Sequence, residues 1–438
     1  MDNPAITAAA PRRNWRGTIA SLRSGQQLHS RLLGGSLIML IGSGVVSLLN
    51  FSYNVAVARL LGPAGFGHAA VAVTLLMFVS GITLSFQLVC AKLVARNEIG
   101  EVKAALYTGL LRRAWMVGFA IGAGLAAAAA PVAHYLHLPS PGMVAVLAFG
   151  FAFYVPLGVR RGGMQGMCSF RRLAFSYVAE ALLKFLAAIL LVEAGYGAMG
   201  AIAAISASVV LAYFFPVPRE LKLRTSMVLP ASFREAVQAV VFFVGQVVIS
   251  NTDILLVKHF FAPATAGLYA AVALVGRLVY FASWMVVSAM FPISAGAKQE
   301  APRNAILAVP IAFVVAISGS FVALLALSPH FLLNIVFGHS FAGAGVEGLL
   351  PLYAGMAGVY SLSVVLIAYE MSRRIANTGW WQLAVSAAIV AGIYLFHGSL
   401  RDVVLVQLVL MVALLGVVSL PFLRRARAPA PVPQEEAA

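Results

Sequence analysis

The chain has 438 residues, 61% of them hydrophobic and only 10% charged, with a formal net charge of +16. Soluble domains carry about 25% charged residues, so this composition excludes a water-soluble core wrapped in a polar skin. Long apolar runs recur along the whole length, each sufficient to cross a hydrocarbon core of roughly 30 Å. A backbone in lipid must satisfy its own hydrogen bonds, so the spans are helices and the fold class is an all-α polytopic membrane protein.

Residues 1–31 form a basic amino-terminal segment without an apolar run of signal-peptide length. Within it Trp15, Ile19 and Leu22 recur at i, i+4 and i+7 among Arg12, Arg13, Arg16 and Arg23. That pattern fits a short basic amphipathic helix lying on the membrane, and a disordered basic tail equally well. Twelve apolar spans follow, at 33–58, 66–91, 114–135, 142–159, 173–193, 196–216, 236–257, 265–292, 304–328, 347–369, 379–397 and 403–423. They divide into a six-helix bundle over 32–225 and a second over 226–424. The remainder, 425–438, ends in "APAPVPQEEAA", a composition expected to be disordered.

Basic residues test the count. Of the 30 Lys and Arg, 25 fall in the two termini and the even-numbered loops, with doublets at Arg112–Arg113, Arg160–Arg161 and Arg171–Arg172. Three, Arg59, Lys258 and Arg401, fall on the opposite side. The positive-inside rule then predicts both termini on the cytoplasmic side of the membrane. The positive charge reads as topology and as attraction to anionic membrane lipids, with no nucleic-acid partner implied.

The side opposite the termini carries an internal echo. Pro63, Ala64, Gly67 and Ala70 match Pro263, Ala264, Gly267 and Ala270 at an offset of 200 residues. Ser47 and Asn54 match Gln246 and Asp253 at an offset of 199. The halves begin on the same side of the membrane, so they are parallel repeats related by an axis along the membrane normal, an architecture of transporters around a central cavity.

Polar residues form stripes on the first pair of helices in each half. Ser43, Ser47, Asn50 and Asn54 line one face of the first span, and Ser80, Thr83 and Gln87 one face of the second. Gln246, Ser250 and Asp253 do so in the seventh, and Arg277, Tyr280, Trp284 and Ser288 in the eighth. Such stripes serve either as hydrogen-bonding glue between helices or as the wall of a shared wet cavity; their recurrence on symmetry-related helices favours the cavity. Three charges lie deep in spans, Glu180, Lys184 and Arg277, where an ion costs roughly 2.5–3.5 kcal/mol or more. Glu180 and Lys184 sit at i, i+4 and can neutralise each other. Arg277 has no acid on its own helix, so it calls for Asp253, Glu180 or a ligand. Asp253 and Glu180 are the candidate ion-coupling acids.

Other chemistry finds little footing. Cys90 and Cys168 offer no CxxC spacing, and His134 and His137 lack a third ligand, so no metal site is expected. Gly118 with Gly122, and Gly200 with Ala204, read as helix packing. No phosphate-binding GxxxxGK[ST] occurs, so ATP is not the direct energy source, and no cofactor is expected. The longest loop on the side opposite the termini, 328–346, has no carboxylate, Arg or Lys. A glycan polymerase or glycosyltransferase would need such groups there, so the chain reads as a non-enzyme without catalytic residues.

The first hairpin, "NVAVARLLGPAGFGHAAVAV", and its echo, "DILLVKHFFAPATAGLYAAVALVGRL", resemble the signature region of polysaccharide biosynthesis flippases. These are O-antigen-type transporters of the multidrug/oligosaccharidyl-lipid/polysaccharide (MOP) exporter superfamily. The resemblance implies two six-helix bundles around a V-shaped cavity lined by helices 1, 2, 7 and 8. It implies a substrate of glycan joined by pyrophosphate to a polyprenol, carried outward for lipopolysaccharide-type surface polymers, with glycan polymerase and chain-length proteins as partners. On this reading Arg277 and Lys184 meet the pyrophosphate and Tyr280 and Trp284 the sugar rings, with Asn50, Asn54, Gln87 and Gln246 on the cavity wall. The rivals are a drug/cation exporter of the same superfamily, which would need carboxylates for its cationic substrate, and a major-facilitator transporter. The second-loop stretch "CAKLVARNEIGEVKAAL" lacks the latter's GxxxDRxGRR pattern.

Overall fold

The computed structural model describes the backbone of residues 15–223, 234–296, 303–373 and 379–426, and side chains over 37–221, 223, 245–287, 290, 307–370 and 380–420. The surface helix expected over Trp15–Leu22 and the tail from 427 lie outside the described side chains or residues.

Among the described residues the chain is nearly all helical. The first helix, α1 (Trp15–Arg96), is broken at Gly62 (φ 66, ψ −177) into two limbs. A positive φ costs glycine no Cβ clash, and Pro63 behind it withholds the amide that would continue the ladder. After it come α2 (Gly100–Ala127), α3 (Ala129–Tyr135), α4 (Pro141–Gly166) and α5 (Phe170–Leu191). A π turn at Val192–Tyr196 leads into α6 (Gly197–Tyr213). The second half holds α7 (Arg234–Phe260), α8 (Pro263–Gly276), α9 (Leu278–Gly296), α10 (Arg303–Leu327), α11 (Pro329–Phe337), α12 (Leu349–Arg373), α13 (Gly379–Leu395) and α14 (Leu400–Ala426). Taking the limbs of α1 separately, α2 with α3, and α8 with α9, and leaving α11 out as a nine-residue helix in the loop after α10, the traverses among the described residues are the twelve expected from the apolar runs. Bulky apolar side chains such as Leu40, Phe119, Phe149, Phe313 and Val409 stand exposed on the outside, as lipid-facing side chains must.

In the first half α4 is the central rod, packed on α1, α2 and α6; in the second half α12 packs on α8, α9, α10 and α14. Small residues allow these approaches. A Cβ on Gly122 would lie 2.8 Å from the Ala148 carbonyl, and one on Gly118 would strike Ala152. One on Gly200 would strike Leu191. Gly158 of α4 admits Thr83, whose carbonyl would stand 2.6 Å from an added Cβ, and Gly162 admits Gln87 in the same way.

The halves meet where α1 packs on α7 and α8. The two Pro–Gly turns occupy equivalent places there and press against each other. A Cβ on Gly67 would lie 2.9 Å from the Pro263 carbonyl, and one on Gly267 would collide with that of Pro63. The repeated breaker therefore does two things. It ends the first span of each half, and its glycine lets the halves touch backbone to backbone. Phe66, 1% exposed, fills the space beside the turn against Phe337 and Phe341 of the other half.

Candidate functional site

Among the described residues each half contains one buried arginine–carboxylate network. In the second half Asp253 of α7 is 1% exposed and accepts from Arg277 Nη2 at 2.8 Å. Tyr269 of α8 and Tyr353 of α12 donate their hydroxyls to its other oxygen at 2.9 and 2.8 Å. Arg277, at the junction of α8 and α9, also donates to Tyr353 Oη at 3.0 Å and to Asn251 Oδ1 at 3.1 Å. Gln407 of α14 donates to Tyr269 Oη at 3.0 Å, closing the network. Gly276 makes the approach feasible, because any Cβ there would strike the Tyr353 ring. Arg277 thus finds its anion inside the protein. Its three kinds of guanidinium nitrogen are all engaged, and the acid that holds it is one of those read as its alternative partner.

Nearer the α9 end of the same bundle, Tyr280 accepts from Gln246, stacks on Tyr360 with centroids 5.6 Å apart, and lies 6.2 Å from the Trp284 ring. Tyr360 accepts in turn from Gln382 at 3.3 Å. The seventh- and eighth-span stripes therefore face each other and α12–α13. Ser288 lies outside the described side chains.

In the first half the Glu180–Lys184 pair that their i, i+4 spacing allows is not formed. Glu180 of α5 instead takes Arg161 Nη2 at 2.5 Å. Arg161 also donates to Ser176 Oγ and its carbonyl, at 3.2 and 3.0 Å, and covers the Tyr177 ring at 3.9 Å. Arg160 and Arg161 read as loop charges, but α4 continues to Gly166, and Arg161, 4% exposed, points into the bundle. The signal lies in the glycines at 158, 162 and 166, a one-sided row that keeps α4 pressed on the second limb of α1.

Lys184 is left without a carboxylate. Its ammonium bonds Asn50 Oδ1 of the first limb of α1 and lies 5.2 Å from the Tyr53 ring centroid. Asn54 donates back to the Asn50 carbonyl at 2.8 Å. Asn50, Asn54 and Lys184 so form one half-buried polar notch between α1 and α5, beside exposed Ser43 and Ser47. The second-span stripe faces elsewhere. Gln87 is 7% exposed, donates to Gln165 at 3.1 Å and accepts from Tyr177 at 2.8 Å, and Thr83 packs on Gly158. Ser80 and Thr83 turn their hydroxyls back to Met77 and Val79 of their own helix, so in this stripe Gln87 is the residue that bonds neighbouring helices. Arg161, Tyr177, Asn251, Tyr269, Tyr353 and Gln407 escaped the sequence reading, because most come from helices far away in the chain and no spacing links them.

Residues 56–345 match the model of a family described as polysaccharide biosynthesis protein. The chain belongs to that family. A comparison with curated proteins finds no match. Among solved structures the chain is similar to the inward-facing conformation of a multidrug resistance MATE family transporter of the MOP superfamily. That likeness has a TM-score of 0.74 at 14% identity, covering 87% of this chain and 94% of that one. The MATE multidrug transporter DinF-BH, solved with a bound ligand, gives 0.64 at 16% identity over 90% and 95%. A MOP superfamily transporter from Pyrococcus furiosus Vc1, described by a reverse polarity of its binding pocket that suggests a different function, gives 0.56 at 16% over 90% and 95%. These likenesses show the fold of this polysaccharide biosynthesis family member: two helical repeats, as in MOP transporters.

Proposed function

We propose that this protein is a flippase that moves a polyprenyl-pyrophosphate-linked oligosaccharide from the cytoplasmic to the outer leaflet by alternating access. Family membership supplies the polysaccharide context, and the fold supplies two repeats that can rock about a shared axis. The observation that carries the substrate class is the charge balance of the polar groups. Asp253 and Glu180 are each neutralised by an arginine, while Lys184 keeps an uncompensated positive charge beside Asn50 and Asn54. A cation-accepting pocket needs the reverse, a carboxylate free of its arginine. The reverse pocket polarity described for the Pyrococcus furiosus transporter is the kind of change a lone lysine makes here. Tyr280 and Trp284, both half-buried, offer aromatic faces suited to sugar rings.

On this reading the arginine-rich loops and both termini are cytoplasmic, the protein lies in the inner membrane, and the turns at Pro63 and Pro263 face outward. Surface polymers of the O-antigen or lipopolysaccharide class are the destination, with a polymerase and chain-length proteins downstream. The test is deletion of the gene. Lipid-linked glycan must accumulate on the cytoplasmic face and surface polymer must fall, and export must return with wild-type protein. Unchanged glycan distribution together with increased sensitivity to cationic dyes would overturn the flippase reading in favour of a drug exporter.

A further inference from the structure

The end of the molecule that carries the Pro63 and Pro263 turns is closed by two further contacts between the halves, one on each flank. On the first flank Arg59 of α1 donates through Nε to the Val336 carbonyl at 2.8 Å and through Nη2 to that of Ile335, in the last turn of α11. On the second His259 of α7 donates through Nδ1 to the carbonyl of Tyr135 at 2.8 Å, the last residue of α3. Arg59 and His259 stand 200 residues apart in the sequence, and so do Tyr135 and Ile335. One contact is thus made twice across the seam, a side-chain donor on the open carbonyls of a helix C-terminus.

What lies behind the two contacts differs. Beside Arg59 the seam is filled by rings. Phe66 of the first half packs on Phe337 and Phe341 of the second, with centroids 6.2 and 6.1 Å away, and all three are buried. The repeat-related positions hold Ala266, His137 and Pro141, so the His259 flank has no such plug. It has polar links instead. The Tyr135 ring stacks on His259 at 3.8 Å, its hydroxyl meets that of Tyr394 in α13, and His137 reaches the Lys258 carbonyl at 3.4 Å. Tyr135 and His259 are half-buried and His137 and Tyr394 exposed, so water can take over each of these bonds when the contact parts. Behind them the closed seam leaves two polar atoms unsatisfied. Lys258 is 1% exposed and its nitrogen has no hydrogen-bond partner, and neither has the buried Nδ1 of His68, which lies with Leu138 behind α3. At the repeat-related positions of the Arg59 flank stand Ala58 and Leu268.

We propose that the seam parts on the His259 flank while the Arg59 flank stays shut as its hinge. Opening the Arg59 flank strips three buried phenylalanines of their packing and breaks a charge-assisted, two-pronged bond. Opening the His259 flank exchanges solvent-accessible polar bonds for bonds to water, at little net cost. It also gives Lys258 and His68 the hydrogen-bond partners that closure denies them, and a buried polar group without a partner burdens the closed state. Protonated or neutral, the lysine nitrogen has N–H groups with nowhere in the protein to donate, so the asymmetry holds in either form. The repeat supplied two matching contacts, and the residues behind them make one a hinge and the other a gate. The gap lies between α3 of one half and the end of α13 in the other. On the flippase reading, on which this last step rests, the lipid-linked glycan leaves sideways through it with its polyprenol still in the bilayer.

The test uses full-length protein in nanodiscs, with Cys90→Ala and Cys168→Ser and two repeat-related pairs of spin labels at exposed positions. Pro139→Cys with Ala264→Cys spans the His259 flank, and His339→Cys with Ala64→Cys spans the Arg59 flank. Removing the polar latch in His259→Ala must create or enlarge a long-distance population in the first pair and leave the second short. His259→Asn, which keeps a donor, must stay near native. Adding Lys258→Met to His259→Ala replaces the unsatisfied nitrogen by an apolar end and must lower the open-to-closed ratio roughly fivefold or more. A long population in the second pair, alone or equally with the first, would overturn the proposal. So would an unchanged first pair in His259→Ala, or a ratio that Lys258→Met fails to lower. The exit route is tested by export. A short bifunctional thiol reagent joining 139 to 264 must block it, and one joining 64 to 339 must spare it. Opening on the His259 flank with export indifferent to both cross-links would overturn the exit route; absence of glycan export before any cross-linking would instead overturn the flippase reading.

Discussion

Arg277→Ala should damage folding before it damages transport. Asp253 is 1% exposed and Arg277 15% exposed, so the mutation leaves a carboxylate enclosed with two tyrosine hydroxyls and no cation. Breaking a buried pair by removing one partner typically costs about 3–5 kcal/mol, set against total stabilities of roughly 5–15 kcal/mol. The loss should appear as reduced abundance in the membrane and an unfolding midpoint lowered by several degrees in detergent. Replacing both partners by apolar residues of similar size, Arg277→Met with Asp253→Leu, removes the uncompensated charge and the desolvation cost together. The double variant should therefore recover most of the lost stability, and with it export. Arg277→Lys keeps the charge but loses the planar fork that reaches Asp253, Tyr353 and Asn251 at once, so it should fall between. Loss of export in Arg277→Ala at native abundance and native midpoint, with no recovery in the double variant, would refute the structural role. That outcome would return Arg277 to the role of substrate-phosphate ligand.

Lys184→Met should leave the stability within about 1 kcal/mol of native, since no carboxylate is orphaned, yet reduce export strongly; Lys184→Arg should retain part of it, and normal export in Lys184→Met would remove the cationic notch from the mechanism. Gly267→Ala places a methyl against the Pro63 carbonyl and should cost about 1–3 kcal/mol of overpacking, widening the distance between spin labels at Pro139→Cys in the first half and Ala344→Cys in the second, in a Cys90→Ala, Cys168→Ser background; an unchanged distance would mean that the turns are not in backbone contact. For topology, an impermeant thiol reagent added outside intact cells should label Pro139→Cys and not Glu98→Cys, and the opposite pattern would invert the protein in the membrane.

Much of the architecture was legible because lipid leaves a chain few choices. Apolar length decides where the helices run, arginine placement orients the loops, and a Pro–Gly break repeated after 200 residues discloses the duplication. These are local signals that act through hydration and backbone geometry, and they survive being read one residue after another. Partner choice among the buried charges is a different matter. Glu180 has Lys184 one helical turn away, yet bonds Arg161 across the bundle, because α4 outruns its apolar stretch and brings a fork-shaped donor close. Arg277 and Asp253 lie 24 residues apart, and the tyrosine that joins them, Tyr353, is 100 residues from Asp253. Their meeting depends on where glycine lets α8 press against α12. The sequence by itself determined how many helices cross, which repeat answers which, and which residues are too costly to bury alone. Only the tertiary structure decided which charges cancel and which, like Lys184 and Lys258, remain, because cancellation depends on distances of a few ångströms between helices that the chain's order does not encode.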